Sequence, residues 1–287
     1  MQKGKKQLSP DYRTKLSCSQ NFITDTKLLH RITGLSSINK SDTVIEIGTG
    51  KGHLTKALCQ ISGFVYSVEL DRKLYEQAKA KLESCPNLRL IQGDFLKYTL
   101  PKKGNYKVFA NIPYFITTQI IEKLTNAPNP ATDIWLVMEK GAAKRFTGTG
   151  KETEKSLLLK VGWNMKIIYH FHREDFHPMP SADSVLVYFA RKGTPDLDRK
   201  DYADFQRFIS HSRKYGFDRK GSLLTKRQVS TALMQAGLPH EDGVTLYIQW
   251  LCLFRCYRHL PQKRAAADCN PGNQELEYTV QPMKRKV

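Results

Sequence analysis

Between Thr43 and Arg191 the chain switches repeatedly between two hydrophobic spacings. Short apolar runs stand at TVIEI (43–47), FVYSVE (64–69), LRLIQ (88–92), YKVFA (106–110), DIWLVM (133–138), WNMKIIYHF (163–171) and SVLVYFAR (184–191). Their length and richness in β-branched and aromatic residues read as buried strands. Helical spacing separates the first of them, over 53–61 and over 71–84, where Leu74, Ala78 and Leu82 share a face. A further helix is expected over Asp25–Ile32, with Thr24 as its N-cap. Strands alternating with helices predict an α/β fold, a Rossmann-like parallel sheet with helices on both faces. The last two strands have no clear helix between them and predict an antiparallel edge.

After Lys192-Gly193-Thr194-Pro195-Asp196 the pattern becomes helical only, over 200–211, 222–236 and 244–260. Leu223, Leu224, Val229, Leu233 and Met234 fall at helical spacing in the second of these. The expected organisation is a basic N-terminal segment (1–19), a Rossmann-like catalytic domain (20–193), a small all-helical domain (194–262) and a tail (263–287). The tail lacks periodicity and apolar content and is expected to be disordered.

Charge narrows the partner. With 46 Lys and Arg against 27 Asp and Glu, the formal net charge is +19. A field of that sign gathers polyanions, nucleic acid foremost and a membrane surface second. No run approaches the ~20 apolar residues of a membrane span, and no apolar stretch follows the basic start. The six cysteines show no metal-ligand spacing, nor do His170, His172 and His177. No metal is expected, and a reducing cytoplasmic location and a monomeric state are. Lys3, Lys5, Lys6, Arg13 and Lys15, with Arg213, Lys214, Arg219, Lys220, Lys226 and Arg227, are the candidates for phosphate contact.

The strand ends carry the chemistry. Strand one runs into Glu46-Ile-Gly48-Thr-Gly50-Lys-Gly52, a G-x-G-x-G turn that departs from the pyrophosphate-binding G-x-G-x-x-G. Glu69 ends strand two, where an acid can accept from both ribose hydroxyls. Asp94 and Phe95 follow strand three, a carboxylate for an adenine amine beside an apolar wall. Asn111 ends strand four. Taken singly, each is ordinary loop chemistry; four in order along the carboxyl edge fit a nucleoside with an amino-acid tail, S-adenosylmethionine. The turn Asn111-Ile112-Pro113-Tyr114 is stiffened by Pro113 and presents one amide and one ring. It is either a plain connection or a clamp for a flat, hydrogen-bonding ligand.

These motifs, with Gln20-Asn21-Phe22-Ile23 upstream and Phe176-His-Pro178-Met-Pro180 downstream, resemble the ribosomal RNA adenine N6-methyltransferases from about Gln20 to Arg191. Within that family the chain is most similar to the erythromycin-resistance (Erm) branch, to which Ile112 and EKGAAKRF (139–146) also lean. Ala182 stands where the family usually has Val. The tail after about Pro261 lies outside the resemblance.

The resemblance implies S-adenosylmethionine-dependent mono- or dimethylation of N6 of one adenine in 23S rRNA, with resistance to macrolide, lincosamide and streptogramin B antibiotics. The rival readings are a 16S rRNA adenine dimethyltransferase and a non-catalytic nucleic-acid-binding relative. It also implies roles. Asn111 and the Ile112 carbonyl would accept from the target amine, and Asp would accept as well as Asn. Tyr114 would stack on one face of a flipped adenine and Phe176 on the other. Asn21 and Ile23 would border the cofactor beside Glu46, Gly48, Gly50, Gly52, Glu69, Asp94, Phe95 and Asn111. Arg145 joins the RNA-contact candidates.

Overall fold

The computed structural model describes residues 21–217, 221–239 and 243–260. The expectations for Lys5, Lys6, Arg13, Gln20, Arg219, Lys220 and the tail therefore lie outside the described residues.

The seven apolar runs form one sheet. Its strands are β2 (Thr43–Ile47), β3 (Phe64–Glu69), β4 (Leu88–Gln92), β5 (Lys107–Asn111), β6 (Asp133–Glu139), β7 (Trp163–His170) and β9 (Ser184–Arg191), in the order β4-β3-β2-β5-β6-β9-β7. The first five are mutually parallel. β9 runs antiparallel between β6 and β7, so β7 is the edge. Two further short strands, β1 (Phe22–Ile23) and β8 (Phe176–His177), pair antiparallel to each other.

Alternation along each strand divides the core. Ile45, Ile47, Val108 and Ala110 pack on one face with α4 (Thr117–Thr125) and α5 (Lys140–Thr147). Val44, Val65, Phe109 and Trp135 pack on the other with α1 (Thr26–Gly34) and α2 (His53–Ile61). There the Trp135 ring lies 5.0 Å from that of Tyr188 and 6.2 Å from that of Phe109. Glu46 shares the Val44 face, turned away from Ile45 and Ile47.

α3 is Arg72–Lys81, shorter than expected because Asp71 caps it and Leu82 closes it. α1 is capped by Asp25, not Thr24: the Asp25 carboxylate accepts from the Lys27 amide at 2.8 Å. Thr24 is one residue too early to reach those amides.

The helical part contains α7 (Arg199–Tyr215), α8 (Lys226–Gln235) and α9 (Tyr247–His259). α8 starts later than its hydrophobic spacing suggests because Thr225 caps it in a capping box with Gln228. The chain boundary near 193 does not coincide with a boundary in the packing. α6 (Glu154–Lys160), in the loop before β7, contributes Leu157 to a cluster with Phe205, Phe208, Trp250 and Phe254, and Val161 just beyond it joins them. A half-buried Lys160–Glu152 ion pair and a hydrogen bond from Arg213 to the Glu152 carbonyl (3.3 Å) tie the same junction. Among the described residues no helix is long and apolar enough to cross a membrane.

Leu157 is fully buried. Leu157→Ala is expected to lower stability by about 2–5 kcal/mol in denaturant unfolding. A loss below about 1 kcal/mol would contradict the assignment of α6 to the helical core.

Candidate active site

A cleft of about 990 Å3, its open mouth included, lies at the carboxyl ends of β2 to β5 and is closed on one side by β1. From β2 the chain passes to β3 and β4 on one side, then returns to β5 on the other. Strand ends diverge at such a switch point, which is where open α/β sheets bind ligands.

The glycine turn after β2 forms its floor. Gly48 has φ of 79° and donates to the Val68 carbonyl at 2.9 Å. The nearest atom to its missing Cβ is the Asn111 carbonyl oxygen at 4.0 Å, so the backbone is open to a ligand there. The space at Gly50 is different. A Cβ there would lie 2.7 Å from the Phe22 ring, so this glycine admits Phe22 from the closing strand. A Cβ at Gly52 would meet Leu82 at 3.0 Å. Of the three glycines expected at the cofactor, only Gly48 leaves open backbone facing the cleft.

The two strand acids serve different ends. Glu69 lines the cleft, and its oxygens accept from the Gly50 and Asp71 amides, both at 2.8 Å. Burial raises its pKa, and those amides oppose the rise. Each carboxylate oxygen keeps a further acceptor site for a hydroxyl. Glu46, expected at the cofactor, is instead fully buried and does not line the cleft. It faces α2, where one oxygen accepts from Thr55 Oγ1 and from Ser67 Oγ, both at 2.6 Å. Its other oxygen has no partner. Burial, opposed by those two hydroxyls, pushes its pKa up to about 8. Glu46 therefore buttresses the turn from behind.

Asp94 and Phe95 both line the cleft. Asp94 caps a short 3-10 turn by accepting from the Leu96 amide at 2.9 Å. The Phe95 ring is nearly buried, with Lys123 Nζ 5.7 Å from its centre.

At the end of β5, Asn111 Nδ2 donates to the Asn21 carbonyl at 2.6 Å. A carbonyl only accepts, so this bond fixes which end of the amide is nitrogen and leaves Oδ1 as an acceptor. Asp, expected to accept as well, lacks this donor. A carboxylate would set an oxygen against the Asn21 carbonyl. The next residue, Ile112, is anchored through its amide to the Val137 carbonyl at 3.2 Å. Pro113 sets φ at −63°, and Thr117 Oγ1 donates to the Tyr114 carbonyl at 2.9 Å. The Tyr114 phenol shares a 2.5 Å hydrogen bond with Ser184 Oγ, and burial raises its pKa.

Phe176 departs from expectation. Its ring is fully buried, edge-on to Phe171 with centres 5.2 Å apart, and it is not among the cleft residues. Its backbone pairs with Ile23. In this conformation it anchors the closing strand and offers no face for a base. The structure thus brings Asn21, Ile23, Gly48, Gly50, Glu69, Asp94, Phe95 and Asn111 to Tyr114 to one cleft.

Arg145, Arg213 and Lys214 are exposed on α5 and α7, none of them in the cleft. Arg145 lies over the Phe146 ring and Lys214 over Tyr215. Sequence reasoning assigned no role to Phe22, Lys51 or Ser184. Phe22 stood inside a quoted motif, and its aromatic character beside a glycine turn was the available signal. Lys51 Nζ sits 5.0 Å from its ring centre. For Ser184, a hydroxyl opening an apolar strand was the signal.

The family described as "Ribosomal RNA adenine dimethylase" matches residues 12–252. An rRNA adenine N-6-methyltransferase of Escherichia coli is 37% identical over 241 residues, covering 83% of this chain and 94% of its own. One of Lysinibacillus sphaericus is 34% identical over 240 residues, covering 84% and 95%. The crystal structure of the 23S rRNA methyltransferase ErmE superposes with a TM-score of 0.74 at 26% identity, over 83% of this chain and 100% of that one. A dimethyladenosine transferase from Plasmodium falciparum gives 0.63 at 22% identity, over 83% and 98%, and shares the fold.

Glu46 holds its proton in the folded chain up to about pH 8, against an ordinary value of 4.5. Folding therefore takes up a proton between those values, and Glu46 makes stability fall as pH rises from about 4.5 toward 8. Glu46→Gln is expected to remove this component, which has a limiting slope of about 1.4 kcal/mol per pH unit. Denaturant unfolding from pH 5 to 9 measures it. Parallel curves for the two proteins would contradict the buried, protonated state.

Proposed function

Because the chain belongs to the ribosomal RNA adenine dimethylase family, as an adenine N6-methyltransferase dependent on S-adenosylmethionine, we propose that it methylates one adenine of 23S rRNA. The observation that carries the site assignment is the oriented Asn111 amide at the sheet's carboxyl edge. The 23S substrate rests on similarity to ErmE, which exceeds that to the dimethyladenosine transferase in both identity and TM-score. Resistance to macrolide, lincosamide and streptogramin B antibiotics is the consequence proposed. Action as a monomer is part of the same proposal.

The residues present fit the cofactor. Glu69 would hold the ribose hydroxyls with its spare acceptor sites, Asp94 the adenine amine, and Phe95 and Ile23 the apolar walls. Gly48 supplies the open backbone for the amino-acid tail. When bound, S-adenosylmethionine supplies an electrophilic methyl on a sulfonium that departs as a neutral thioether.

The remaining work falls to the Asn111–Tyr114 turn. The target amine is a poor nucleophile because its lone pair is delocalised into the ring. Asn111 Oδ1 and the Ile112 carbonyl accept its two hydrogens, favour a pyramidal nitrogen and aim the lone pair. No strong base is required, since the methylated ammonium is itself acidic. Orientation of this kind can contribute on the order of 7–11 kcal/mol. Tyr114 stacks on the flipped base, worth roughly 1–3 kcal/mol, and Ser184 sets the tilt of its ring. With Phe176 buried, a second stacking face would need movement of β8.

Methyl-labelled S-adenosylmethionine offered with protein-free 23S rRNA and with small ribosomal subunits tests the substrate. Label at a single adenine of 23S rRNA is expected; label confined to small subunits would assign the chain to the 16S branch. Asn111→Ala is expected to lower turnover on the order of 100-fold while cofactor affinity falls less than about tenfold. Equal losses, from single-turnover rates and calorimetry, would make Asn111 merely structural.

A further inference from the structure

The segment after β8 carries an exposed apolar side chain between two prolines. Met179 is 57% exposed. It stands between Pro178 and Pro180, with Pro180 buried as an anchor. Proline on one side fixes its own φ, and proline on the other keeps Met179 out of the helical region. The thioether is therefore presented on a stiff backbone.

Both ends of this segment are tied to the cleft. His177 pairs with Phe22, which lines it, and Ser184 holds the Tyr114 hydroxyl. Met179 lies two residues from His177, about 7.6 Å of chain at most. A cross-strand step adds about 5 Å, which puts Met179 within roughly 13 Å of Phe22. Ala182 and Asp183 of the same segment border a second, open groove lined also by Glu139, Lys140, Lys144 and Arg173. Asp183 is already shared between Arg173 Nε at 3.0 Å and Lys140 Nζ at 3.8 Å. Lys140, Lys144 and Arg173 outnumber the carboxylates Glu139 and Asp183, so the groove is net positive. One segment thus joins the cleft to a net-positive groove and carries a stiffly held, exposed apolar tip, which suits a wedge. Apolar side chains, methionine among them, enter base steps and unstack them.

We propose that Met179 inserts beside the target adenine and takes the place it vacates in the stack, with the adjoining phosphates in the Lys140–Arg173 groove. This deepens the function proposed above and rests on it. The wedge lowers the cost of flipping, a few kcal/mol, without touching the transferred group. Its effect must then depend on how well the target is stacked.

The test compares two RNAs: a 23S rRNA fragment that carries the target adenine, and the same fragment with an abasic nucleotide beside the target. Met179→Ala is expected to lower kcat/KM about tenfold on the first and less than about twofold on the second. Met179→Leu, apolar and of similar volume, is expected to restore most of the loss on the first. Equal losses on both RNAs, or no loss on either, overturn the wedge. A wild-type protein that methylates neither RNA overturns the underlying function and the wedge with it.

Discussion

The hydrogen bond from Asn111 Nδ2 to the Asn21 carbonyl joins two parts of the chain ninety residues apart, and the site's geometry depends on it. On one side it fixes the amide so that its oxygen can accept from a ligand. On the other it holds the start of β1, whose Phe22 fills the space over Gly50 and whose Ile23 pairs with Phe176. The donor-side wall and the acceptor-side wall of the cleft therefore share one bond. A short polar contact of this kind, half-buried between backbone and side chain, discriminates sharply against any residue that cannot donate.

Burial divides the acids of β2 and β3 between support and recognition. Glu69 is held by two amides and keeps acceptor capacity at the cleft. Glu46 is turned toward α2, closed in by Thr55 and Ser67, and keeps its proton at neutral pH. Ser67 also contacts Thr49 in the glycine turn at 2.6 Å. The turn is thus braced from beneath by a hydroxyl and carboxyl network and from above by Phe22. Preorganisation of this sort matters where catalysis is chiefly orientation.

Most of the sheet was legible because its strands are buried on both faces and read as continuous apolar runs. α2 falls on its expected residues, and the strand ends carry the cleft in the expected order. The placement of β9 between β6 and β7 was not legible, since strand order depends on contacts distant in sequence. α5 and α6 also escaped notice: KGAAKRFT has few apolar positions, and EKSLLLK buries its leucines against the helical domain, not the sheet. At the site, residue types were readable but directions were not. Glu46 alternates away from the cleft because Ile45 and Ile47 take the opposite face. Phe176 is consumed by the core beside Phe171. The Asn111 donor role was invisible because its partner is a backbone carbonyl, which no sequence pattern marks.

The most direct measurement uses Asn111→Asp, which keeps size and acceptor oxygens but removes the donor. Hydrogen exchange at the amides of residues 22 and 23, read beside the rate of methyl transfer to 23S rRNA, reports both arms of the bond. The account predicts faster exchange there together with a loss of transfer on the order of 100-fold. Wild-type protection with wild-type transfer in that variant would contradict it.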